Sequence, residues 1–303
     1  MAREIVLPPT GEPVSNQVGS LLFIGNATVL LRYAGFNILT DPNFLHVGER
    51  ARLAYGLLHA RRLTNPAIEL DQLPKLDLVV LSHHHEDHFD RRVARELDHR
   101  LPIVTTPQAA RKLAKKGFAA TVPLETWEDV VFTKGEERLR ITSLPGKHGP
   151  SLTSRLLARV MGSMLEFESR ERGPLLRLYV SGDTLLHRKL RQVPKRYPDI
   201  DLGLFHLGGT RMLGLMVTMD GRQGARAVKL INPRTAVPLH FDDYDLFKSP
   251  LGDFQREARD AGLEERIRYL LRGEALAFQV PEARRLEVLP TREERQGPQP
   301  PAP

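Results

Sequence analysis

Short apolar runs alternate along this chain with amphipathic stretches, and the two periods separate cleanly. Segments 20–24, 28–33, 37–39, 76–81, 103–105, 138–142, 163–168, 175–180, 202–205, 235–238 and 275–279 are short, rich in Val, Ile and Leu, and punctuated by Gly or Pro. That pattern predicts strands. Segments 91–99, 107–116, 185–193, 221–230 and 251–261 carry apolar residues three or four apart, which predicts helices. Such a succession fits an α/β protein with two mixed sheets packed face to face and helices outside, a four-layer αββα sandwich. The ends read differently. Pro8-Pro9-Thr10-Gly11-Glu12-Pro13 belongs to an extended tail over 1–17, and the charged, Pro-rich stretch 291–303 reads as a disordered one. The expected domain is the single body between them, 18–290.

Composition narrows the classes. The chain has 303 residues, 41% of them hydrophobic, enough for one large core. Its net charge of +7 would suit an anionic partner. The basic residues are scattered, though, in loose groups such as Arg91-Arg92-Arg95 and Lys112-Lys115-Lys116 that solvated helix faces explain equally well. Zero cysteines exclude a disulfide framework and any thiolate ligand, so a metal here would need His, Asp or Glu. No apolar run has membrane-spanning length, and Met1-Ala2-Arg3-Glu4-Ile5 does not open a secretory signal. The expectation is a cytoplasmic protein.

The chemistry concentrates in Ser82-His83-His84-His85-Glu86-Asp87-His88, which follows the apolar run Leu76-Asp77-Leu78-Val79-Val80-Leu81. Side chains alternate across a strand, so His83 and His85 can point to one side together. Asp87 and His88 then follow on the turn. Imidazole nitrogen and carboxylate oxygen are donors for a divalent ion such as zinc. Three later residues have matching chemistry at strand ends: His148 in Leu144-Pro145-Gly146-Lys147-His148, Asp183 in Val180-Ser181-Gly182-Asp183, and His240 in Val237-Pro238-Leu239-His240. Alone, a strand-end His is more often a hydrogen-bonded structural residue. The set together points to a site.

These blocks, with Phe23-Ile24-Gly25-Asn26-Ala27-Thr28 and Leu39-Thr40-Asp41-Pro42-Asn43, make the chain resemble the metallo-β-lactamase-fold hydrolases over nearly its full length. The likeness is greatest to the branch holding N-acylphosphatidylethanolamine phospholipase D and the ascorbate-lactonase-like proteins; Asp90, two residues after the last His of the run, also favours that branch. The resemblance implies two divalent ions, zinc foremost, with manganese or iron compatible with the same donors. It implies a first site of His83, His85 and His148, a second of Asp87, His88 and His240, and Asp183 bridging both. Asp41 would brace the histidine loop. Two positions depart from the branch: Asn26 stands where a His is frequent, and Asp220 stands near another such place and reads as an N-cap.

Two such ions about 3.5–4 Å apart can hold a hydroxide that attacks a carbonyl carbon or phosphorus. Asp87 would then orient the nucleophile or shuttle its proton. The expected reaction is hydrolysis of a phosphodiester or a lactone or ester in a small or lipid-like substrate. A nuclease, or a metal-binding protein without catalysis, is the alternative, with nucleic acid the less favoured partner. Asn26, Lys147, Gly209, Arg211 and Tyr244 are the expected substrate contacts, Gly209 and its neighbours through backbone N–H groups. Segment 149–160 reads either as a lid or as a helix packed on the core.

Overall fold

The apolar runs are continuous because most strands are buried on both faces. The computed structural model describes residues 3–9, 15–53, 56, 58–150, 157–170, 173–280 and 287–289. Among these, one sheet has eight strands in the order Glu287–Val288, Ala275–Gln279, Val18–Gly25, Thr28–Tyr33, Phe36–Thr40, Leu78–Val80, Ile103–Thr105, Thr121–Pro123. The other has seven: Arg3–Val6, Asp129–Lys134, Glu137–Pro145, Met161–Ser169, Gly173–Val180, Leu202–His206, Thr235–Leu239. Both sheets mix parallel and antiparallel pairs.

Alternate residues of one strand enter different cores. Val29, Leu31, Leu78 and Val80 meet Leu139, Ile141, Leu178 and Val237 between the sheets. Their neighbours Leu30 and Val79 face outward, against Val93, Ala109 and Leu113 of the helices Val93–Glu96 and Pro107–Ala114. On the far side Tyr179, Phe205 and Ala236 pack against the helices Gly221–Ile231 and Leu251–Asp260. Helix, sheet, sheet, helix is the four-layer sandwich expected. Each fully buried aliphatic or aromatic side chain contributes roughly 1.5–3 kcal/mol.

The differences from expectation have local causes. Residues 185–187 do not join a helix, because Leu185 N–H bonds to Lys147 O and Leu186 N–H to Gln223 Oε1; only Arg188–Arg191 and Gln192–Arg196 turn helically. The helix expected at 91–99 shortens to Val93–Glu96, started by Asp90 Oδ1 accepting from Arg92 and Val93 N–H. Residues 3–6 of the expected tail form an edge strand, parallel to Asp129–Lys134. The hairpins Arg50–Leu53 with Leu58–Arg61, and Arg211–Met212 with Leu215–Met216, are additions. Segments 151–156 and 290–303 lie outside the described residues, so half of the 149–160 segment, read as a lid or a packed helix, and the whole of the expected tail 291–303 lie outside them. Residues 157–160 are irregular, not helical. No described helix is long and apolar enough to cross a membrane.

Candidate metal centre

Five strands deliver a residue to one place from their C-terminal ends. Leu78–Val80 leads into the run 83–88, Glu137–Pro145 into His148, and Gly173–Val180 into Asp183; Leu202–His206 ends on His206, and Thr235–Leu239 leads into His240. Ligand atoms of His83, His85 and His148 lie within 4.8 Å of one another, and so do those of Asp87, His88, Asp183 and His240. All seven are buried. Two backbone features make this convergence feasible. Gly182 has φ +60°, and a Cβ there would stand 2.6 Å from Met161 O. His240 takes φ +62°, an unusual conformation for a non-glycine residue, at the turn out of its strand.

Neighbouring groups select the free ring nitrogens. His83 Nδ1 lies 3.0 Å from Ser82 Oγ, whose hydroxyl donates to Asp41 Oδ1 at 2.7 Å. His148 Nδ1 lies 3.0 Å from Val217 O. In each case the proton belongs on Nδ1, and Nε2 is left as a lone pair. His83 Nε2 meets His85 Nδ1 at 3.0 Å. Asp41 also accepts from Ser82 N–H at 2.9 Å and stands 3.2 Å from His88 Nδ1.

The electrostatics prepare the same states. Burial holds the His85 imidazole down to about 3, and burial with the neighbouring His88 and His85 holds His83 well below its ordinary value. His148 is lowered by burial as well. Burial opposes a charge on His88, yet Asp183, Asp87 and Asp41 together raise it well above the usual range. Burial also opposes the Asp183 carboxylate, but His240 and His88 hold it well below its usual range. His83, His85 and His148 are thus neutral and Asp183 ionised, the forms a divalent ion accepts, whereas His88 holds a proton that an ion there would displace.

A cleft opens onto His85, Asp87, His148 and Asp183. Its walls are apolar: Leu53, Ala60, Leu157, Met212, Val217, Leu246 and Phe247. Of the expected contacts, Arg211 and Tyr244 border it. The Tyr244 hydroxyl, however, donates to Asn43 Oδ1 at 2.8 Å. Lys147 lines a separate, more polar cleft on another side of His148. Gly209 lines neither, and its N–H donates to Met219 O at 2.9 Å, while Thr210 N–H donates to Thr218 Oγ1. The expected backbone cradle is therefore committed to the protein's own carbonyl and hydroxyl. Asn26 is buried outside the cleft lining, its Nδ2 donating to Asp87 O at 2.6 Å. Asp220 caps the helix Gly221–Ile231 by accepting from Gln223 N–H, as read from the sequence.

Sequence reasoning missed two features. His206 is fully buried beside Asp183. It closes the run Leu202-Gly203-Leu204-Phe205-His206, the same strand-then-His pattern that marks His240. The second is an ion pair, Arg62 with Asp243 at 3.1 Å, both 0% exposed. Arg62 also donates to Asn43 Oδ1, and Asp243 accepts from Asn26 N–H. No local pattern announces a pair 181 residues apart in sequence.

Residues 36–241 match the family described as the Beta-lactamase superfamily domain. A UPF0173 metal-dependent hydrolase of Rubrobacter xylanophilus is 26% identical over 263 residues, 84% of this chain and 95% of that protein. Another, from Thermodesulfovibrio yellowstonii, is 24% identical and covers 83% of this chain and 96% of its own. Among solved structures, an isothiocyanate hydrolase from Delia radicum gut bacteria superposes with a TM-score of 0.69 at 21% identity, over 86% of this chain and 100% of its own. Igni18, a metallo hydrolase from Ignicoccus hospitalis, does so with a TM-score of 0.64 at 21% identity, over 87% and 100%.

Proposed function

The chain belongs to the Beta-lactamase superfamily, and from that premise we propose that it is a metal-dependent hydrolase holding two divalent ions. The observation that carries the reading is the pair of buried donor groups, His83, His85 and His148 beside Asp87, His88, Asp183 and His240. The donors fit such ions: every one is an imidazole nitrogen or carboxylate oxygen, and Asp87 Oδ1, His88 Nε2 and His240 Nε2 are buried without a hydrogen-bond partner. Asp183 acts electrostatically on His83, His85 and His148 as well as on His88, which supports its place between the two groups. When bound, divalent ions supply Lewis acidity and make water a stronger acid.

The protein's own residues do the rest. Asp87 borders the cleft with its Oδ1 free, so it orients a water toward a substrate there and accepts its proton. The apolar walls hold the substrate's hydrocarbon portion and exclude bulk water. That lining supports a small or lipid-like ester, lactone or phosphodiester over a polynucleotide, whose phosphates would need a lined basic track.

The test is a panel of phosphodiesters, lactones, esters and isothiocyanates with short and long apolar groups, assayed with and without chelator. Turnover that chelation abolishes and divalent metal restores supports the proposal. Chelator-resistant turnover, or none on any class despite loaded metal, rejects it.

A further inference from the structure

His206 has no part in these two donor groups, yet it is wholly buried against them, and its ring nitrogen clusters with Asp41 and His88 in a third set of donor atoms. Its Nδ1 lies 3.2 Å from Asp183 Oδ1, while Asp183 Oδ2 lies 3.2 Å from His88 Nε2. Its ring is stacked with His88 at 5.8 Å and with His240 at 5.7 Å, near-parallel to both. The backbone is pinned as well, since His206 N–H donates to Ser181 Oγ at 2.9 Å, two residues before Asp183. An ionised carboxylate oxygen can only accept, so the imidazole supplies the N–H of this contact. On Nδ1 that proton is donated to Asp183. Nε2 is buried without a partner.

We infer that His206 is a positioning residue for Asp183, fixing Oδ1 by a hydrogen bond so that Oδ2 stays turned toward His88 and the carboxylate is held in one orientation for metal. A carboxylate between two ions must present its oxygens in defined directions, and an unrestrained one would lose affinity through rotation. Partners that orient ligands in this way typically account for 10–100-fold in metal affinity. The inference rests on the proposed two-ion reading, and the experiment separates the two.

Zinc binding to chelator-stripped full-length protein is measured by competition with a chromophoric chelator, alongside the thermal midpoint of each apoprotein. His206→Asn places an amide N–H near the Nδ1 position, and His206→Leu fills similar volume without a donor. The expected result is 10–100-fold weaker zinc binding in His206→Leu, with most of the loss recovered in His206→Asn. If His206→Leu does not fold, His206→Gln, whose amide reaches toward the Nε2 side, replaces it in the comparison. Wild-type affinity in the variants overturns the inference alone. So does equal weakening in both variants that tracks their apoprotein midpoints, which would mean packing. A third zinc equivalent lost in both would make His206 a ligand instead. A wild-type protein that binds no zinc or other divalent ion overturns this inference together with the two-ion reading.

Discussion

The Asn26 side-chain amide donates to the backbone carbonyl of Asp87 at 2.6 Å, tying the turn after the first long strand to the histidine loop. The same residue accepts from His240 N–H at 2.9 Å through its own carbonyl. One asparagine thus links two segments that carry donors, and its φ of +55° is a conformation Asn tolerates well. Asn26→Gly keeps the backbone permitted but deletes the amide, so it should destabilise the apoprotein by about 1–3 kcal/mol. Asn26→Ala adds the left-handed strain and should be lower by roughly 1 kcal/mol more. Urea denaturation of both variants checks the order; Ala equal to or better than Gly would contradict it.

Arg62 and Asp243 form the anchor behind that brace. Both are fully buried; Asp243 also accepts from the Thr64 hydroxyl and Asn26 N–H, and Arg62 donates to Asn43 Oδ1 and Thr64 O. Arg62→Met removes the fully buried partner of Asp243 and leaves it only Arg272 Nη1, at 3.5 Å, as a cation, so it should cost up to about 3–5 kcal/mol. A double-mutant cycle with Asp243→Asn should show strong coupling, the double variant losing less than the sum of the singles. Additive losses would mean that the pair is not a unit.

His84 faces away from the donor groups, its ring 6.0 Å from Phe89. Burial, aided by the charge of Lys112, lowers its pKa from 6.5 to about 4. Between those values the unfolded chain binds a proton that the folded chain refuses, so stability falls as pH drops through this window. His83, His85, His148 and His206, lowered in the same direction, add to that fall, while His88, raised by its carboxylates, opposes it. In apoprotein, His84→Leu should make the loss between pH 6.5 and 4 smaller than in wild type. An unchanged slope by urea denaturation at stepped pH would show that His84 already protonates in the folded state.

The apolar cleft predicts selectivity by chain length. Val217 and Phe247 line it beside the donors. Phe247→Ala should lower kcat/KM for substrates with long apolar groups by about tenfold or more relative to short ones, the range a few buried methylenes supply. Equal losses on both would place the residue in packing alone.

Much of this was legible in the chain because it is periodic. Strands buried on both faces produce unbroken apolar runs, and a donor within three residues of the end of such a run, as at His83, Asp183 and His240, marks a strand end that reaches the donor cluster. His206 obeys the same rule and could have been found by it. The Arg62–Asp243 pair and the Asn26 and Asn43 braces could not, since they depend on which loops the sandwich brings together. The Gly209 amide was misread for a similar reason: its partner, Met219 O, arrives across the turn of a hairpin that the sequence pattern does not show.

The most direct measurement is metal content per chain in protein purified without chelator, for wild type, His85→Ala and His240→Ala. Two adjoining donor groups predict close to two equivalents in wild type and about one in each variant, with a different ion lost in each case. A single equivalent in wild type, abolished by either substitution alone, would contradict the two-ion centre.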